Sequence, residues 1–244
     1  MKNKLTAKIF QVLEIISSSP EPLSLKKISE VSGIAAGTLS RIVADLCECG
    51  MIEKFGYHQV RPSLGMIRFG QDAMTNFSLP RIVPPMLRSH AEGVGADGAF
   101  AGVHNLKLVY ICSNSRRSGG GSGSNLPYWE PLLRSFLAAV ILGSELPGPE
   151  LDRVVHDNFR SASPSDIDFF LNNCLSVKKN GYIAYREFGR GWSVNFPVTC
   201  NDRFYGVALS GQNAETCNLD RMIFETSLLA SRLSSALDED NRRR

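Results

Sequence analysis

Thr38, Ser40 and Arg41 stand on one side of the stretch Gly37–Glu48, and Leu39, Ile42, Val43 and Leu46 stand on the other. The apolar set recurs at the i, i+3, i+4, i+7 spacing of an amphipathic helix. Its outward face offers two hydroxyls and one guanidinium near the N-terminal end, with Asp45 further along. A guanidinium bonds bidentately to guanine, and a hydroxyl reaches a base edge or a phosphate. Ala36 and Gly37 belong to the same end, the part of such a helix that enters a major groove.

No other constellation offers comparable chemistry. The four histidines, His58, His90, His104 and His156, are scattered, and neither HExxH nor GxSxG occurs. Arg186 with Glu187 reads as a strand-end ion pair before it reads as an acid/base pair. Of six cysteines, Cys47 and Cys49 are closest, one residue apart, which is not zinc-ribbon spacing. Ser118–Ser124 is glycine-rich but is followed by no Lys-Ser/Thr and no helix start, so it is a flexible loop. An enzyme, a metal site and a cofactor are therefore not expected.

The elements that hold the polar helix are short and local. Ile9, Val12, Leu13 and Ile16 predict a first helix over 7–18, ended by Ser17-Ser18-Ser19-Pro20. Ser24 is a credible N-cap for a second helix, Leu25 to Ser32, which Gly33 terminates. Gly37 or Thr38 opens the third. Two helices joined by a tight glycine-containing turn form a helix-turn-helix. Met51–Lys54 and His58–Pro62 flank a Phe55-Gly56-Tyr57 turn and predict a hairpin, or wing. Lys54, His58 and Arg61 on that wing could reach phosphate or the minor groove, although edge strands carry charge for other reasons too.

Beyond the wing, Leu64, Ile67, Met74 and Phe77 predict a connecting helix whose apolar face would pack on a second copy of the chain. A following helix within Leu79–Glu92 should start properly only after Pro84 and Pro85. Alternation then predicts strands at Ala99–Val103 and Leu106–Cys112, joined by a turn at His104-Asn105. Helices are expected at 131–142, 147–155 and 164–179, then strands at 181–187, 192–198 and 204–210, and a final helix at 220–237. Strands in two groups separated by helices argue an α+β fold with the helices on one side of a mixed sheet. The expected domains are 1–63, a linker helix 64–78, 79–239, and a solvated basic tail 240–244.

With 244 residues the chain suffices for two ordinary domains. Apolar residues make up 43% and charged residues 21%, which fits a globular protein and excludes a disordered one. The formal net charge is only +3, so any contact with nucleic acid rests on where charges stand, not on bulk charge. No apolar run approaches the ~18–20 residues of a membrane span, and Met1–Ile16 does not read as a secretion signal. The expected compartment is a bacterial-type cytoplasm.

The order of these parts resembles the IclR family of bacterial transcriptional regulators. The resemblance rests first on Leu23-Ser24-Leu25, Ile28-Ser29, Gly33, the run Thr38–Leu46, and Cys49-Gly50-Met51-Ile52. Further matches are Leu64-Gly65, Leu126-Pro127, Gly181-Tyr182, Arg186-Glu187, Ser193-Val194, Pro197-Val198 and Leu209-Ser210-Gly211. It implies a winged helix-turn-helix, a helical linker, and a C-terminal α/β domain with a curved antiparallel sheet that senses a small effector, often a carboxylate or aromatic acid. It also implies a homodimer or dimer of dimers on a palindromic operator. Ser193 and Ser210 fall where family members face the effector, and Trp129, Glu130, Leu132, Leu133, Arg186, Glu187 and Trp192 are candidates around them. Leu132, Leu133 and Arg134 depart from the small residues usual there, so the effector site is either reshaped or filled. If filled, the C-terminal domain would serve only to oligomerise.

Overall fold

A computed structural model describes residues 4–114, 132–186, 191–213, 215 and 217–243. The chain divides into two compact units, Met1–Asn76 and Phe77–Arg244.

In the first unit, α1 (Lys4–Ser17), α2 (Leu25–Ser32) and α3 (Ala36–Glu48) pack with β1 (Leu23–Ser24), β2 (Ile52–Phe55), β3 (Gln59–Pro62) and α4 (Leu64–Asn76). Ser24 has extended backbone and its hydroxyl accepts the Lys27 N–H, satisfying one of the orphan donors at the start of α2. Gly33, at φ 67°, takes the left-handed conformation that closes α2 and turns the chain into α3. The apolar stripes of the three helices meet in one core of Val12, Ile16, Ile28, Leu39, Ile42 and Leu46, closed from the wing side by Ile52 and Val60. Two-residue β1 pairs with β3 in a three-stranded antiparallel sheet ordered β1-β3-β2, a pairing too short to show as alternation. The helix expected to be a linker, α4, falls within this unit, and none of its residues is buried.

In the second unit, α5 (Ser78–Gly93) leads into β4 (Ala96–His104) and β5 (Lys107–Ser113). A one-turn 3-10 helix at Leu132–Arg134 precedes α6 (Phe136–Glu145), α7 (Gly148–Asn158) and α8 (Pro164–Asn180). Then follow β6 (Ile183–Arg186), β7 (Trp192–Cys200), β8 (Arg203–Gly211) and α9 (Leu219–Arg242). The five strands form one sheet, antiparallel throughout, in the order β5-β4-β8-β7-β6, with a bulge at Phe100/Ala101 where β4 pairs with β5.

Helices cover both faces of this sheet, not one. Val207 and Leu209 of β8 point into a core with Leu79, Val83 and Leu87 of α5 and Met222, Leu229, Leu233 and Leu237 of α9. The alternate residues face the other way: a Cβ built on Gly206 would meet Leu137 of α6 at 2.8 Å, and Ala208 packs with Leu137 and Ala101. Behind α6, Leu132, Leu133, Val140, Leu151, Val155, Ile167 and Phe170 form a further core with α7 and α8.

Four local expectations change. Helix α5 runs unbroken through Pro84 and Pro85, because its stripe Leu79, Val83, Leu87, His90 and Ala91 is buried. That burial outweighs the cost of about 3 kcal/mol that an interior proline imposes. The expected helix at 131–142 is interrupted at Ser135, whose hydroxyl caps α6 by accepting the Ala138 N–H. The β4–β5 turn is made by Asn105 and Leu106, both at positive φ, one residue later than expected. Finally, α9 continues to Arg242 where a solvated tail was expected, because Ser78 and Arg81 of α5 both bond Asp240.

Burial also decides the thiol chemistry. Cys112 and Cys174 lie in apolar surroundings that push each thiol up to about 12. At pH 8 such a thiol is thiolate roughly once in ten thousand molecules. Both should therefore stay unmodified by a thiol-directed reagent in the native protein while exposed Cys49 reacts. Mass mapping of modified peptides checks this, and rapid labelling of Cys112 or Cys174 would contradict the packing described.

Candidate nucleic-acid interface and C-terminal polar row

Helix α3 starts one residue earlier than its apolar pattern suggests. Ala35 precedes it without any side-chain cap, so Ala36 and Gly37 open the helix with exposed first-turn positions. Unsatisfied N–H groups at a helix N-terminus, with the positive end of the macrodipole, favour a phosphate oxygen there. Ser40 and Arg41 are exposed and Thr38 is half-buried, while Leu39, Ile42, Val43 and Leu46 anchor the opposite face. Ser40 and Arg41 thus stand exposed on the side of α3 opposite its buried stripe. Ser24, by contrast, is half-buried and already engaged as the α2 cap. Lys26 and Lys27, exposed in the first turn of α2, were not singled out by the sequence pattern.

On the wing, Lys54 and His58 are exposed. His58 sits in the turn, not in a strand, at φ 64°, with its ring edge-on to Tyr57 at 4.2 Å. Tyr57 is 88% exposed at the tip, another position the pattern left unmarked. Arg61 is not a free cation: its Nε lies 2.6 Å from Glu53 Oε1, directly across the β2–β3 ladder, and its guanidinium lies 4.5 Å from the Phe55 ring centroid. Both partners remain nearly half exposed, so the pair is easily opened. Glu53→Gln is accordingly expected to tighten binding to any DNA by about threefold to tenfold and to steepen the salt dependence by about one counterion. Filter-binding titrations across a salt series check this, and an unchanged slope would mean that Arg61 does not touch phosphate.

In the second unit the regular register of β4, β8 and β7 sorts the remaining candidates by face. Ser210 pairs with Asp97 on one side and Ser193 on the other. All three lie on the α6 face, because Gly206 and Ala208 share their alternation on β8. Ser193 Oγ and Ser210 Oγ are 2.8 Å apart, and the Asp97 carboxylate accepts a 2.8 Å hydrogen bond from Gln212 Nε2. Two residues along β7 on the same face, Asn195 is 2% exposed, and its Nδ2 has no hydrogen-bond acceptor among the described residues. Ser193 is equally buried and Ser210 half-buried.

Alternation separates the other candidates from this row. Trp192 precedes Ser193 and so lies on the α5/α9 face, and its backbone N–H donates to Cys217 Sγ at 3.2 Å. Arg186 is paired across from Trp192, shares that face and is exposed. Leu132 and Leu133 are buried in the α6–α8 core, and Arg134 reaches Asp166 in the first turn of α8 at 2.5 Å. Trp129, Glu130 and Glu187, like the glycine-rich stretch 118–124, lie outside the described residues. The structure therefore brings Ser193 and Ser210 together and adds Asp97, Asn195 and Gln212. These three were legible only once the register was known, because a polar residue in a strand looks solvent-facing until its neighbours are placed.

Residues 6–55 match the IclR helix-turn-helix domain, a DNA-binding unit. No curated protein sequence matches the chain. Solved structures resemble it along nearly its whole length. An IclR family transcriptional regulator from Brucella abortus superposes with a TM-score of 0.76 at 18% identity, covering 95% of this chain and 92% of that one. A regulator from Alicyclobacillus acidocaldarius gives 0.71 at 14%, covering 98% and 99%. An IclR homolog from Microbacterium hydrocarbonoxydans, complexed with 4-hydroxybenzoate, gives 0.67 at 15%, covering 96% and 99%. At these identities the likeness is one of fold.

Proposed function

We propose that this chain, whose residues 6–55 match the IclR helix-turn-helix domain and whose fold is shared with IclR family regulators, is a ligand-responsive regulator that binds a near-palindromic operator as a dimer. The observation that carries the reading is the exposed N-terminal end of α3, with Thr38, Ser40 and Arg41 outward and no capping side chain at Ala35. Arg41 is the base-reading side chain, the Ala36 and Gly37 amides hold phosphate, and Lys54 and His58 follow the backbone from the wing.

Arg41→Ala should then weaken specific binding by about 1–3 kcal/mol while leaving random DNA nearly unaffected. Competition binding against both checks it. An equal loss on the two would reassign Arg41 to a phosphate.

Two copies are proposed because α4 exposes Leu64, Ile67, Phe69 and Met74 with no buried residue of its own. Such a stripe suits association of two α4 helices, and a two-fold axis through it would set two recognition helices on half-sites about one DNA turn apart. Sedimentation of the full chain tests this part.

The second unit is proposed to hold a small molecule on the polar row of Asp97, Ser210, Ser193 and Asn195, and so to bias DNA binding. The bound 4-hydroxybenzoate in the structural neighbour lends this support by fold alone. A rival reading, in which this unit only oligomerises, draws on the core-filling Leu132 and Leu133. Ligand binding to the native state raises the melting temperature, so a thermal-shift screen separates the two.

A further inference from the structure

The wing tip gathers aromatic and basic side chains into one exposed cluster. Phe55 is 40% exposed and Tyr57 88%, and Lys54 and His58 beside them are exposed too. Single apolar residues scattered over a surface are ordinary, but several rings crowded onto one short loop are not. Only Gly56, Tyr57 and His58 join β2 to β3. Gly56 at φ 54° and His58 at φ 64° both take left-handed backbone, which is uncommon for a residue with a side chain. The loop therefore holds a defined shape with Tyr57 at its crest. Among the described residues the His58 ring, edge-on at 4.2 Å, is the one ring that Tyr57 meets. So exposed a side chain contributes almost nothing to the core.

Resting on the reading that α3 lies in a major groove, we propose that Tyr57 enters the neighbouring minor groove and gives the protein a preference for A·T pairs beside each half-site. Ile52 and Val60 seat the base of the hairpin in the same core as Leu39, Ile42 and Leu46 of α3, so wing and recognition helix are held as one piece. From Ile52 to Phe55 the strand rises about 10 Å, and the loop carries Tyr57 further. A major groove is about 12 Å wide, so this reach suffices to cross one phosphate ridge from a helix lying in it. Lys54 and His58 flank the ring and suit the phosphates on that ridge. In the minor groove an A·T pair presents only acceptors, adenine N3 and thymine O2, and the phenol O–H donates to either. A G·C pair adds the guanine N2 amino group, which crowds the ring and turns a second donor towards the phenol.

Selection from a random-sequence duplex library with the full-length protein reads the preference. The wild type should enrich A·T pairs flanking each half-site, and replacing them by G·C should weaken binding about fivefold to tenfold. Inosine·cytosine pairs at the same positions should bind like A·T, because inosine keeps the major-groove edge of guanine and lacks its N2 amino group. Tyr57→Ala should level all three flanks while leaving the positions read by α3 and the melting temperature unchanged. A flank preference that survives Tyr57→Ala, inosine pairs that bind like G·C, or no flank preference at all would overturn the role of Tyr57 and leave the reading of α3 intact. A wild type that enriches no sequence anywhere would overturn both.

Discussion

Gly65→Ala is expected to destabilise the Met1–Asn76 unit by about 3 kcal/mol or more, the opposite sign to its effect on an isolated helix. Gly65 lies in the first turn of α4, and a Cβ built there would stand 2.1 Å from the carbonyl oxygen of Gly50. That oxygen cannot step aside. Gly50 is itself at φ 68°, and its carbonyl accepts the hydroxyl of Ser63, which in turn accepts the Gly65 N–H at 3.0 Å. Helix α4 would have to lift from the end of α3, and the wing between them would lose its anchor. Helix propensity alone favours alanine over glycine by about 1 kcal/mol, so the sign of the change decides between the two effects. Urea denaturation followed by circular dichroism, with DNA binding measured in parallel, reads it; a stabilised variant would refute the close approach.

Leu39→Ala should cost the same unit about 2–5 kcal/mol. Leu39 is fully buried between two outward residues, Thr38 and Ser40, and packs into the core of Val12, Ile16, Ile28, Ile42 and Leu46. A cavity there loosens the seat of the recognition helix, so stability and DNA binding should fall together. Arg41→Ala is the contrasting case: Arg41 is exposed, so binding should fall with the melting temperature unchanged. If Leu39→Ala lost binding but kept its full stability, α3 would not be seated by this core.

The first unit was largely legible in the sequence because its signals are local. A cap at Ser24, a left-handed glycine at Gly33 and an apolar stripe on α3 each act within a few residues, and the structure keeps all three. What escaped depends on partners distant in sequence. Pro84 and Pro85 read as a break until the buried stripe of α5 is seen against α9 and the sheet. Asp240 reads as tail until Ser78 and Arg81 are beside it. Likewise, Trp192 next to Ser193 suggested one pocket, but consecutive strand residues face opposite ways. The register that joins Ser193 to Ser210 and Asp97 is what assembles the polar row, and register is a property of three strands together. Arg61 shows the same limit at close range, since its cross-strand partner Glu53 decides how free its charge is.

The central claim, that α3 reads a particular DNA sequence, is tested most directly by titrating the full-length protein onto fragments flanking its own gene, against random DNA, at two salt concentrations. The account predicts saturable binding to one such fragment at least about a thousandfold tighter than to random DNA, with both weakening as salt rises. Genome-wide selection of bound fragments extends the search to operators elsewhere. Equal affinity for every fragment under all these conditions would contradict it.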